Sequence, residues 1–201
     1  NIQNESPEAR SMPTSVAQKP TAEATPARRR PPEGAARMPA PSNVIAVASG
    51  KGGVGKTWLA ITLTQALSAA GQKALLFDGD LGLANVDVQL GLNPTADLSR
   101  ALAGQESLDK VLLPVEATGF HVAAGRSGSG GLAALSAGQL EGLGRGVARL
   151  AESYDRVVMD LGAGIDATVR TLAGYAGINL VVTTDEPTAL TDAYAYIKVI
   201  R

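Results

Sequence analysis

Residues 50–57, Gly-Lys-Gly-Gly-Val-Gly-Lys-Thr, constrain the fold more than any other stretch of this 201-residue chain. They follow a continuous apolar run of strand length, Val44-Ile45-Ala46-Val47-Ala48, and precede helically spaced apolar residues at Leu59, Leu63, Ala66, Leu67 and Ala70. A strand that empties through glycines into a helix brings unpaired backbone N–H groups and the helix dipole to one point, where an anion is favoured. Gly50, Gly52, Gly53 and Gly55 let that backbone curl closely without Cβ clashes. The run fits the phosphate-binding pattern G-x-x-x-x-G-K-[ST] at every fixed position. Lys56 then offers a point charge to β- and γ-phosphates, and the Thr57 hydroxyl offers a ligand to Mg²⁺.

The rest of the chain repeats the strand–helix alternation. Ala74-Leu75-Leu76-Phe77 ends at Asp78, Phe120–Ala124 is a third apolar run, Val157-Val158-Met159 ends at Asp160, and Leu180–Thr183 is a fifth. Helical spacing runs over Lys56–Ala70, closed by Gly71 as a C-terminal cap. It returns over Ser136–Ser153 with Leu140, Leu143, Val147 and Leu150 on one face, over Ala167–Ala176, and after Pro187. Apolar strands alternating with amphipathic helices predict an α/β domain with a doubly wound, mostly parallel sheet and right-handed crossovers. Its ligand site is expected at the carboxyl ends of the strands, where Gly50, Asp78 and Asp160 fall.

Residues 1–43 differ. They hold eight of the 11 prolines and no aromatic residue, and their few large apolar side chains follow no period. Such a segment cannot offset its ordering entropy and reads as a solvated tail before a domain spanning 44–201. The chain opens on Asn1 rather than Met and closes on a helical pattern without a stop signal, so the domain is expected to be incomplete at its C-terminus. Absence of cysteine excludes a disulfide framework, a thiol nucleophile and a cysteine-held cluster. With one histidine, a multi-histidine metal centre is excluded too. Residues 44–201 carry 12 basic against 15 acidic side chains, which disfavours nucleic acid held by bulk charge.

Two further constellations bear on chemistry. Asp78-Gly79-Asp80 places two carboxylates at a strand mouth, suited to a hydrated metal and to orienting an attacking water. Asp160-Leu161-Gly162-Ala163-Gly164 closes an apolar strand with a carboxylate, and its two glycines leave the backbone free to approach a γ-phosphate. Asn85 and Asp87 suit a short helix start. Trp58 reads as helix packing and His121 as a core or edge residue.

The sequence Lys51-Gly52-Gly53-Val54-Gly55-Lys56-Thr57 resembles the deviant Walker A motif of the MinD/ParA ATPases. The stretches Asp80–Leu92 and Thr183–Ala193 resemble most the FlhG/FleN flagellar-number branch. The resemblance implies a P-loop ATPase hydrolysing ATP with Mg²⁺, in which ATP drives homodimerisation and Lys51 reaches the partner subunit's nucleotide. It implies catalytic roles for Lys51, Lys56 and Asp80, metal roles for Thr57, Asp78 and Asp160, a switch II at Gly162 and Gly164, and base contact at Thr184, where MinD relatives carry asparagine. It further implies flagellar partners such as the GTPase FlhF. The expected location is the cytoplasm, with attachment to the inner face of the cell membrane through segments outside this chain. Within the same superfamily the alternatives are a ParA-type partitioning ATPase and a MinD-type division-site regulator. Residues 1–43 lack the Asp-Gln-Ala-x-x-Leu-Arg element that FlhG relatives often carry.

Overall fold

The computed structural model describes residues 40–94, 97–125 and 135–200. The proline-rich segment read as a tail lies, up to residue 39, outside the described residues. Asn43 Nδ2 donates to the carbonyls of Ala151 at 2.8 Å and Tyr154 at 2.9 Å, which fixes the entry of the chain.

Six strands form one sheet: β1 (Val44–Ser49), β2 (Ala74–Gly79), β3 (Leu112–Pro114), β4 (His121–Ala123), β5 (Arg156–Ala163) and β6 (Ile178–Val181). Their order is β3-β4-β2-β5-β1-β6, and every neighbouring pair is parallel except β3–β4. The central strands β1, β2 and β5 read as unbroken apolar runs because both faces are covered. Every residue of β1 and β2 is buried. On one face lies a core built from Leu75, Phe77, Leu143, Val147, Met159 and Leu172, and on the other one built from Val47, Leu76, Phe120, Val122 and Val158.

The helices are α1 (Lys56–Ala69), α2 (Val86–Gln89), α3 (Leu98–Leu102), α4 (Ala137–Ala151), α5 (Ala167–Ala173) and α6 (Pro187–Ile200), with a 3₁₀ turn at Leu108–Val111. Among the described residues no helix is long and apolar enough to cross a membrane. α1 ends as its sequence predicts. Gly71 adopts φ +81°, and the N–H groups of Gly71 and Gln72 close back on the carbonyls of Ser68 and Leu67. α4 begins on a reciprocal capping box between Ser136 and Gln139 and buries Leu140, Leu143, Val147 and Leu150.

Three readings are corrected. The buried stripe of α1 is Lys56, Ala60 and Thr64, while Ala66 and Ala70 are exposed and Leu59, Leu63 and Leu67 are only half-buried. Small residues let this helix lie close on the sheet, and the Thr64 hydroxyl is satisfied by donating to Ala60 O at 2.7 Å. Trp58 is 68% exposed, so it does not serve helix packing. The last strand begins at Ile178 rather than Leu180 and lies at the sheet edge, where Ile178 and Leu180 remain exposed despite their apolar character.

Candidate nucleotide site

The phosphate-binding pattern occupies the turn from β1 into α1. Two of its glycines adopt conformations that L side chains rarely take: Gly53 at φ +77° and Gly55, the N-cap of α1, at φ +91°. Gly50 is required for a different reason. A Cβ there would come within 2.4 Å of the Asp192 backbone in α6. Ser49 Oγ donates to Lys51 O at 2.6 Å and fixes the start of the turn. Lys56, at the first position of α1, is buried although its ammonium is charged, an unusual place for lysine unless anionic partners face it.

An open cleft of about 940 Å³ lies over the carboxyl ends of β2 and β5 and the start of α1. Its walls bring together Gly52, Gly53, Gly55, Lys56, Thr57, Asp80 and Gly162 from the three stretches singled out in sequence. Gly50, Lys51, Val54, Gly164 and Thr184 do not line it. Gly164 adopts φ +101° and donates its N–H to Ser49 O at 2.9 Å, tying the loop after β5 to the end of β1. Thr184 follows β6, and its hydroxyl oxygen is buried without a hydrogen-bond partner.

Asp78 and Asp160 lie beneath the cleft, each about 1% exposed and directly opposite in the β2–β5 register. Burial raises Asp160 to about 6; the Thr57 hydroxyl and the Lys56 ammonium oppose that rise, and the charge of Asp80 adds to it. Neither carboxylate oxygen of Asp160 has a hydrogen-bond partner in the structure. Burial, followed by the Asp160 charge, raises Asp78 to about 7, against two backbone amides that favour its ionised form. Asp80 accepts the Leu83 N–H at 3.2 Å and stands against Gly162, whose Cβ position would be 3.4 Å from Asp80 Oδ1. Orphaned buried carboxylate oxygens beside a threonine hydroxyl, at the end of a phosphate-binding turn, are a donor set that suits Mg²⁺ directly or through water.

Some residues of the site were not singled out by sequence. Glu186 pairs with the Lys51 ammonium across 135 residues of chain. Both side chains are partly exposed, and no sequence signal joins them. Asp166 caps α5 by accepting the Val169 N–H at 3.0 Å, and it lines the cleft; an aspartate before Ala-Thr-Val was the available signal. Trp58 and Leu83 stand at the cleft as exposed apolar side chains.

A glycine-rich strand–helix turn with a buried lysine, facing carboxylates from two neighbouring parallel strands, defines a P-loop nucleotide-binding domain. Residues 45–197 match the family described as CbiA, the CobQ/CobB/MinD/ParA nucleotide-binding domain, and the chain belongs to that family. It is 42% identical to the antiactivator FleN of Pseudomonas aeruginosa over 80% of this chain and 57% of FleN. It is 37% identical to the flagellum site-determining protein YlxH of Helicobacter pylori over 77% of this chain and 52% of that protein. The chain therefore spans little more than half the length of these relatives. Among solved structures it resembles the septum site-determining protein MinD of Pyrococcus horikoshii complexed with Mg-ADP. That match has a TM-score of 0.69 and 27% identity, over 79% of this chain and 65% of the other. The doubly wound fold and the FlhG/FleN-like, MinD-like character read from the sequence stand.

Proposed function

We propose that this chain is the nucleotide-binding part of a MinD-like ATPase that controls the placement or number of flagella through ATP-dependent dimerisation. The observation that carries the catalytic reading is Asp160, a buried carboxylate with both oxygens unpartnered, held beside Thr57 and Lys56 at the phosphate turn. The similarity to FleN and YlxH carries the flagellar one.

In this reading the N–H groups of residues 52–57 and the Lys56 ammonium hold the phosphates of ATP. Thr57 and Asp160 would hold Mg²⁺, which would supply neutralisation of phosphate charge. Asp80, fixed by its own loop above Gly162, orients the attacking water and accepts its proton. The water oxygen bonds to the γ-phosphorus as its bond to the bridging oxygen of ADP breaks, phosphate and ADP leave, and the loop at Gly162–Gly164 relaxes. Lys51 must first leave Glu186 to reach the nucleotide of a second subunit. That exchange is inexpensive, because an exposed ion pair contributes about 0–1 kcal/mol. In this reading Thr184 contacts the base, and flagellar proteins such as the GTPase FlhF are the partners. The protein works in the cytoplasm and at the inner face of the membrane.

The test is phosphate release from Mg-ATP, measured together with sedimentation at rising protein concentration. Slow release that climbs with dimer formation supports the proposal. Release without any self-association removes the switch and leaves an ordinary ATPase.

A further inference from the structure

We infer that Asp78 is a positioning residue that staples the Asp80 loop, and that it is not a ligand of the metal. Asp78 Oδ1 accepts the Asp80 N–H at 3.2 Å and Asp78 Oδ2 accepts the Val86 N–H at 3.4 Å. These two amides stand at opposite ends of the loop that links β2 to α2. One carboxylate thus ties both ends of a six-residue segment to the sheet. Val86 opens α2, and its N–H is one of the groups a helix start leaves unpaired. The N-cap residue Asn85 makes no side-chain capping bond, so Asp78 supplies the acceptor from outside the helix.

The contrast with Asp160 decides the assignment. Both residues are buried to the same degree in the same register. The oxygens of Asp160 are met by no backbone amide and have only the Thr57 hydroxyl beside them, outside hydrogen-bond geometry, whereas each oxygen of Asp78 is engaged by an amide. Moving Asp78 onto a metal would draw its oxygens away from the buried Val86 amide and the part-buried Asp80 amide, leaving donors without an acceptor. Packing holds the loop from the other side as well. Gly125 leaves no room beside Ala84, since a Cβ there would lie 2.4 Å from the Ala84 Cβ. The product of the staple is the place of Asp80, whose Oδ1 faces Gly162. A loop released at Val86 would let Asp80 drift, and a misplacement of about 1 Å can cost on the order of 100-fold in rate. The inference rests on the reading of Asp80 as the residue that orients water.

Asp78→Asn separates the two roles. Its amide keeps one acceptor and turns a donor toward a donor, so one backbone N–H loses its partner. In nucleotide-free protein, hydrogen exchange at one of the Asp80 and Val86 amides should quicken at least tenfold relative to wild type, with core amides of β1 unchanged. With Mg-ATP, kcat should fall about 100-fold while nucleotide affinity and the Mg²⁺ concentration for half-saturation stay within twofold. A tenfold rise in that Mg²⁺ requirement, with both amides still protected, makes Asp78 a metal ligand and overturns the inference. If the variant does not fold, wild-type protein gives the answer. Protection of the Asp80 and Val86 amides that survives addition of Mg-ADP supports the staple, and loss of that protection refutes it. Failure of wild-type protein to bind nucleotide would instead refute the functional reading, and the exchange measured without nucleotide still reports on the staple.

Discussion

Asp78 and Asp160 face each other across the β2–β5 register, and one carboxylate's charge raises the pKa of the other. Both are pushed above the ordinary aspartate range, to about 7 and about 6 respectively, first by burial. A carboxyl that binds its proton more tightly when folded destabilises the fold as pH rises from the unfolded value, near 4, through the folded one. Metal-free protein should therefore lose stability from these two groups between about pH 4 and 7. Asp160→Asn removes the charge and should stabilise the fold at pH 8 by at most on the order of 2–3 kcal/mol, read as a higher melting temperature. The gain should vanish below about pH 4. Melting curves at the two pH values, without Mg²⁺, check the sign.

Lys56→Ala should abolish ATP binding by calorimetry. Lys56 is buried at the phosphate turn, where its charge faces the site rather than bulk water. Unchanged affinity would place the nucleotide elsewhere.

Asp80→Ala should bind ATP about as tightly as wild type and release phosphate at least 100-fold more slowly. Its carboxylate is tied to Leu83 N–H and faces Gly162, so it contributes orientation rather than phosphate binding. Single-turnover phosphate release is the measurement.

Lys51→Ala should leave ATP binding nearly intact and remove ATP-dependent self-association, measured by sedimentation in an Asp80→Ala background that suppresses turnover. Lys51→Arg should not fully restore it, since a planar fork replaces a compact ammonium. Glu186→Gln should change folding stability by less than about 1 kcal/mol, because the pair it breaks is exposed. Dimerisation of Lys51→Ala at the wild-type concentration would reduce Lys51 to a loop lysine.

Trp58 is the sole tryptophan, it is 68% exposed, and it lines the cleft one position after Thr57. Its emission should shift when Mg-ATP fills the cleft, and the Lys56→Ala variant should show no shift. Trp58→Phe should cost less than about 0.5 kcal/mol, as exposed positions usually do.

The central strands were legible because burial on both faces turns β1, β2 and β5 into continuous apolar runs. The phosphate turn was legible because its glycines have no substitute at φ +77° and +91°. What stayed hidden has a physical cause in each case. β3, Leu112–Pro114, is three residues long and its antiparallel pairing leaves no pattern. The short helices α2 and α3 are set by tertiary packing and single caps, below the length at which periodicity is informative. The helical spacing of α1 runs through its leucines and through Ala66 and Ala70, while the residues it buries are Lys56, Ala60 and Thr64. Trp58 was assigned by hydrophobicity alone, which does not distinguish a core side chain from one at a cleft. The Lys51–Glu186 pair joins residues that only the fold brings together.

The missing Cβ of Gly50 leaves the Asp192 backbone seated against the start of the phosphate turn, with no slack between them. The phosphate turn and α6 are thus seated on each other through bare backbone. A shift of the turn on filling or emptying must be carried into a surface helix whose Leu190, Tyr194 and Ile197 stand in solvent. A side chain at residue 50 would push α6 off the turn, so the seat between the buried site and this surface helix depends on a side chain that is not there.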